Sequence, residues 1–263
     1  MMQMSANILS NIYMGSGFYY MEIEAREVAN EAVPGQFLHV KVNEGLYPLL
    51  RRPMSLHEID REKDILGLLY QVRGKGTEIL SGRIPGSKID IMGPLGKGFT
   101  LNFPGQYGVI VGGGIGVAPL LSLAKELRKL EKEVTVILGA RSAQFVLTEA
   151  KFISLGCQVL VTTDDGSKGR KGRATGLLAE HIKNKQVDFL YACGPEGMLE
   201  EVQKISLLYK IKGEISLEAY MGCGVGACLS CSCERSDISE KRYAKVCTDG
   251  PVFSIGEVKI LDR

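Results

Sequence analysis

The cysteines near the end of the chain constrain it most. Seven cysteines occur in 263 residues. Five of them, Cys223, Cys228, Cys231, Cys233 and Cys247, crowd into one short C-terminal window. An odd total and this crowding do not fit a spread disulfide framework. Four of the five follow C-x4-C-x2-C with a further cysteine downstream, which is a ligand spacing for a [2Fe–2S] cluster. Zinc sites normally show two C-x2-C knuckles, and only one is present. A zinc site and unligated core thiols are the alternatives to the cluster. The loop from Met221 through Gly222, Gly224, Val225, Gly226 and Ala227 to Cys228 offers small side chains and amides able to reach sulfur. Cys233 is one cysteine more than the pattern needs. It reads as a bystander, with a competing ligand as the alternative. About 45 residues cannot bury enough apolar surface to fold alone, so a metal centre is the expected staple of this segment.

Composition narrows the remaining classes. Lys+Arg number 32 and Asp+Glu 30, a formal net charge of +2, so no large field exists to gather nucleic acid by counterion release. Hydrophobic residues at 45% and charged residues at 24% are ordinary for a globular chain. No run of 18 apolar residues exists to span a membrane. The N-terminal stretch lacks a basic region followed by an apolar one, so it does not read as a signal peptide. A reducing cytoplasm is the default compartment. The 32 glycines exceed the usual share of about 7% and predict several loops that turn sharply or approach a ligand.

The pattern of apolar residues changes twice, giving regions 1–103, 104–216 and 217–263. In the first, Leu38, Val40 and Val42 alternate with His39 and Lys41, a half-buried strand. Further strands are expected over 64–72 and 88–92, with turns at Pro34-Gly35, Pro85-Gly86, Gly93-Pro94 and Pro104-Gly105. This reads as a small antiparallel barrel or sandwich. In the second region, apolar runs at 107–111, 134–138, 158–162 and 189–192 alternate with helices. One helix starts near Ala118 with Leu120, Leu121, Leu123, Ala124, Leu127 and Leu130 on one face. Another spans 196–209. Strand alternating with helix implies a parallel sheet. The third region is the small cysteine-rich segment.

Several loops carry candidate chemistry. Gly112-Gly113-Gly114-Ile115-Gly116 follows a strand and opens a helix, a context that suits a pyrophosphate. It departs from the dinucleotide fingerprint, because Val117 stands at the third glycine position. A plain strand-turn-helix corner is the alternative. Cys193-Gly194-Pro195 is a second such turn in the same sheet, and two turns at carboxyl ends of parallel strands define a crevice. Arg52 and Ser55 of Arg52-Pro53-Met54-Ser55 point to opposite faces if extended, so phosphate capture there needs a bend or backbone help. Gly76-Thr77 belongs to a glycine turn open to a phosphate, or to a hairpin. The three histidines, His39, His57 and His181, are scattered, and the basic loop 167–173 reads first as solvated.

The order of these signals resembles the ferredoxin–NADP reductase superfamily. Arg52-Pro53-Met54-Ser55 is similar to its R-x-x-S flavin motif, and the two glycine turns are similar to its nicotinamide motifs. Within it, the chain resembles the electron-transfer subunits of type B dihydroorotate dehydrogenases. That likeness includes Pro34-Gly35-Gln36-Phe37, Gly93-Pro94-Leu95-Gly96, Thr162-Thr163-Asp164-Asp165-Gly166 and the stretch 246–253. The resemblance implies an FAD-binding barrel over 1–103, an NAD-binding α/β domain over 104–216 and a [2Fe–2S] domain over 217–263. It implies FAD contacts from Arg52, Pro53, Met54, Ser55, Leu69, Tyr70, Gln71, Gly76 and Thr77. NAD would meet Gly112, Gly113, Gly114, Gly116, Gly194 and Pro195, with Cys193 as the catalytic position beside the nicotinamide and flavin rings. Cys223, Cys228, Cys231 and Cys247 would hold the cluster. The implied partner is an FMN-containing catalytic subunit that oxidises dihydroorotate in pyrimidine synthesis, in a heterotetramer of two plus two. Val252, Phe253 and Ile255 are candidates for the shared face, or for packing inside the small domain. The alternatives are a reductase subunit of a transhydrogenase, hydrogenase or oxygenase system, and a redox-sensing nucleotide-binding protein.

Overall fold

The structure is a computed structural model and describes residues 1–237 and 242–260. The first region closes into a barrel of β1 (Met2–Gly15), β2 (Phe18–Glu24), β3 (Phe37–Lys41), β4 (Arg52–Asp60), β5 (Ile65–Gln71) and β6 (Lys88–Leu95). They run in the order β1-β2-β5-β4-β3-β6, with every neighbour antiparallel. Alternation does the sorting, because successive side chains face opposite sides of a strand. Leu38 and Val40 of β3, Met54 and Leu56 of β4, and Leu66 and Leu68 of β5 fill the interior. Helix α1 (Arg26–Glu31) adds Val28 and Ala29 to the same core. His39 departs from the half-buried pattern and is buried as well, because the cysteine-rich segment covers that outer face. The Gly74 turn leads into helix α2 (Lys75–Ser81) instead of a hairpin. Thr77 Oγ1 accepts from the Arg73 and Gly74 amides and donates to the Gly74 carbonyl, closing the first turn.

The second region holds β7 (Tyr107–Gly113), α3 (Leu120–Lys129), β8 (Glu133–Ala140), α4 (Glu149–Ser154), β9 (Gln158–Thr163), β10 (Arg170–Lys171), α5 (Ala174–Asn184), β11 (Phe189–Cys193), α6 (Glu196–Tyr209) and β12 (Gly213–Ser216). β7 is buried along its whole length, as a central parallel strand must be. Ile110 joins one apolar cluster with Leu123 and Phe152, and Val109 and Val111 join another with Leu178 and Leu199. Leu130 is an exception to its expected inward face. The helix stops at Lys129, and Leu130, as its cap, turns to solvent.

The third region is irregular apart from a pair, β13 (Ser232–Glu234) with β14 (Tyr243–Lys245), and a last strand, β15 (Val252–Ser254). β15 pairs antiparallel with β12 and completes a sheet ordered β10-β9-β8-β7-β11-β12-β15. This corrects one expectation: Val252 and Phe253 are buried and Ile255 packs on the sheet's core, so they form no open face. The barrel is tied to the sheet through α3. Ser122 Oγ donates to the Leu56 carbonyl at 3.1 Å, and His57 Nδ1 lies 2.8 Å from the Ala118 carbonyl. Among the described residues, no helix is long and apolar enough to cross a membrane.

Candidate functional site

Strand order locates a crevice. From β7 the chain builds outward through β8 and β9, then returns to add β11 and β12 on the other side. The carboxyl ends of β7 and β11 therefore diverge into connections that leave in opposite directions, the usual place for a ligand in such a sheet. Gly112 and Cys193 are register partners there. The two turns touch backbone to backbone: a Cβ on Gly116 would lie 2.5 Å from Gly194 Cα, and one on Gly113 2.7 Å from Met198 Sδ. Gly114 differs. Its φ is +54° and a Cβ there would meet nothing, so it is the open point of the turn. Gly113 and Gly116 thus serve packing, while Gly114 leaves room for an approaching ligand.

Cys193 is fully buried, and its thiol is pushed well above its usual range by burial and by the Glu218 carboxylate; a hydrogen bond with Ser216 opposes this. It is an uncharged thiol and no ready nucleophile. Ser216 is its register partner on β12. Glu218 opens onto solvent yet is crowded by protein, as befits a side chain lining a cleft. That crowding raises its carboxyl, and the Arg73 guanidinium from the barrel pulls it down. Ser216 and Glu218 were not distinguished by the sequence, because their partners come from distant strands. The one signal available was an acidic residue directly beyond a buried strand.

The barrel brings Arg52 onto Gly76. A Cβ at Gly76 would meet the Arg52 guanidinium, so the arginine in its present position lies directly on the glycine. Among the described residues no carboxylate pairs with Arg52; it donates to the Leu50 and Arg51 carbonyls. An arginine of this kind suits a phosphate or an electron-rich ring edge. Met54 turns into the barrel core, and Pro53 and Ser55 therefore face outward. Leu69 packs with the apolar cluster of the nicotinamide sheet. Tyr70 stacks on Tyr19 at 5.7 Å and donates to Asn11. Gln71 accepts from Arg73. Outward backbone, an uncompensated guanidinium and a glycine cradle fit a flavin nucleotide.

The cysteine loop gives the sharpest geometry. Among the described residues no three His, Cys, Asp or Glu side chains converge as a single metal ion would require. Cys228 interacts with Cys223, and Cys247 with both Cys231 and Cys223. Four cysteines around one loop whose amides aim at sulfur suit an iron–sulfur centre. The amides of Val225, Ala227 and Cys228 donate to Cys223 Sγ at 3.3–3.4 Å, and that of Gly226 to Cys247 Sγ at 3.2 Å. Such donors stabilise negative sulfur. The Ser230 backbone and hydroxyl lead the causes that lower the Cys228 thiol to about 6, while burial chiefly pushes Cys247 up to about 12. Cys233 lies in the segment's core, with Ala244 as its strand partner.

Sequence comparison agrees with this geometry. The family model for the iron–sulfur cluster binding domain of dihydroorotate dehydrogenase B matches residues 218–259. That for an oxidoreductase NAD-binding domain matches residues 110–204. The chain is 44% identical over 253 residues to a dihydroorotate dehydrogenase B (NAD(+)) electron transfer subunit of Desulforamulus reducens, covering 96% of this chain and 97% of that one. It is 41% identical to the subunit of the same name from Geobacillus thermodenitrificans, covering 95% and 96%. Among solved structures, an NADH-dependent reduced ferredoxin–NADP oxidoreductase superposes with a TM-score of 0.86 at 29% identity, covering 97% and 90%. A Neisseria gonorrhoeae ferredoxin NADP+ reductase shares the fold, with a TM-score of 0.66 at 19% identity, covering 79% and 91%.

Proposed function

The chain belongs to the family of dihydroorotate dehydrogenase B (NAD(+)) electron transfer subunits, and we propose that it connects the FMN of a catalytic subunit to NAD through its own [2Fe–2S] cluster and FAD, in pyrimidine synthesis. The observation that carries this reading is the loop whose amides donate to the Cys223 and Cys247 sulfurs beside a flavin-type barrel. When bound, a flavin exchanges a hydride with nicotinamide and single electrons with an iron–sulfur centre.

The chain's own residues position and exclude. Arg52 offers its guanidinium over Gly76, at the outward face of Pro53 and Ser55. Gly114 keeps the crevice open, while Gly113 and Gly116 let the two turns close behind it. Cys193 holds an uncharged sulfur at the end of β11, so that thiol does not compete as a nucleophile for the nicotinamide. The loop amides donate to the Cys223 and Cys247 sulfurs. No acid or base for a pyrimidine is needed in this chain.

The catalytic subunit would dock on the cysteine loop. Cys228 is exposed and Cys223 half-buried, whereas Cys231 and Cys247 are buried, so the electron exit lies on the 222–230 side. Tyr220 is 88% exposed there and Leu229 62% exposed, the latter held at φ +62°. A large apolar residue in a left-handed conformation at an open tip is retained at a cost, which supports a contact role. Two copies of each subunit would give the commonest closed symmetry. A reducing compartment such as the cytoplasm suits crowded thiols. The alternative, a reductase subunit of another complex, has weaker support: 29% identity against 44%. NAD reduction by dihydroorotate, assayed with the chain alone and with its catalytic subunit, tests the reading. Activity only in the mixture is expected. Activity in the isolated chain, or none in the mixture, overturns it.

A further inference from the structure

His39 is 0% exposed, and neither ring nitrogen has an aligned hydrogen-bond partner. Leaving a buried polar group unpaired is destabilising. A histidine retained under those terms points to something that completes it. Its strand shows where it faces. Leu38 and Val40 enter the barrel core, while Phe37 packs on the cysteine segment, so alternation sends His39 to that outer side. Pro53 of the flavin motif stands opposite it on β4, and Met92 on β6.

The lid over the ring is Gly224, the residue after Cys223. A Cβ on Gly224 would lie 2.6 Å from His39 Nδ1, and its φ is +72°, so the loop reaches the ring only through a glycine. Burial and the Arg51 and Arg52 charges disfavour the protonated ring, while the Cys223 and Arg51 backbones lie near enough to favour it. His39 therefore sits between the strand pair that carries the flavin motif and the first cysteine of the loop.

We propose that His39 is a positioning residue for the cluster: a ring N–H, unpaired in the protein alone, hydrogen-bonds sulfur of the bound centre on its Cys223 side and raises its reduction potential. A neutral imidazole suffices, because it always keeps one N–H donor. Hydrogen bonds to cluster sulfur are among the factors that set such potentials. The inference rests on the reading of Cys223 as a ligand and adds the group that tunes it from the barrel side.

The experiment uses the full chain loaded with FAD and cluster, under anaerobic conditions. Histidine labelled with 15N is incorporated, and the reduced cluster is examined by pulsed EPR. His57 and His181 bond the Ala118 carbonyl and the Tyr107 hydroxyl, so His39 is the histidine on the loop. A ring-nitrogen coupling is expected in the parent and is lost in His39→Gln. In parallel, redox titration of His39→Phe is expected to shift the oxidised-to-reduced ratio of the cluster about tenfold at fixed potential, a midpoint lower by about 59 mV. His39→Gln, which keeps an N–H donor, restores at least half of that shift, and the flavin midpoint does not move. A parent cluster without the nitrogen coupling, or a fully loaded His39→Phe with an unchanged midpoint, overturns the proposal while leaving the ligand set intact. A parent chain that assembles no cluster, by iron and sulfide analysis, overturns the ligand reading and the proposal together.

Discussion

The nicotinamide sheet and the cysteine segment are held together by different means. β7 and β8 pair in continuous register from Tyr107–Glu133 to Gly113–Gly139, and their interior is Val, Ile and Leu. Each such buried side chain contributes about 1.5–3 kcal/mol. The cysteine segment has strands of only three residues. Its core contains Cys231, Cys233 and Cys247 and draws on Phe37 and Leu95 of the barrel. Its last strand leaves to pair with β12. One region folds on burial of carbon. The other takes surfaces from its neighbours and builds its core around buried cysteines.

Substitutions separate the two modes. Cys223→Ser, Cys228→Ser, Cys231→Ser or Cys247→Ser should abolish the cluster and loosen residues 218–237, while the sheet keeps its protection. Iron analysis with hydrogen exchange checks both halves, and equal loosening of the sheet would break the contrast. Gly116→Val should do the reverse. It forces the two turns apart and should weaken NADH binding at least tenfold, with iron content unchanged. Arg52→Ala removes a charged donor, and bonds to charged groups contribute about 1.5–3 kcal/mol. FAD retention on gel filtration should fall by about tenfold or more, again without loss of iron.

The barrel–sheet seam adds a pH-dependent term. Burial lowers His57 to about 4 from an ordinary 6.5. The folded state therefore takes up its proton later than the unfolded chain. The stability this site confers is complete above about 6.5 and declines as pH falls toward 4. Between pH 6.5 and 5 the loss is about 2 kcal/mol, at about 1.36 kcal/mol per pH unit. Thermal melts of the parent and His57→Gln at both pH values should differ by that amount. The smallest effect belongs to Cys233→Ser, which should retain full iron and sulfide.

Local patterns were legible where they depended on neighbours in sequence. The cysteine spacing, the helix over 196–209 and the inward residues of β3 needed no distant information. The burial of His39 is not legible in its own strand, because the loop that covers it lies far along the chain. The same holds for Ser216 and Glu218, whose significance comes from Cys193 and from Arg73 across the crevice. Val252 and Phe253 carry an apolar signal that cannot distinguish an open face from a sheet edge. The Arg52–Gly76 contact depends on two strands meeting, although each residue stood out alone.

The central claim is that one chain holds the whole path from nicotinamide to cluster, with a flavin between them. Anaerobic NADH titration followed by EPR tests it directly, using the FAD-loaded chain and the same chain stripped of flavin. The account predicts that NADH produces the signal of a reduced [2Fe–2S] cluster in the loaded chain and none in the stripped chain. A cluster reduced equally fast without flavin, or one that stays oxidised with flavin bound, would contradict it.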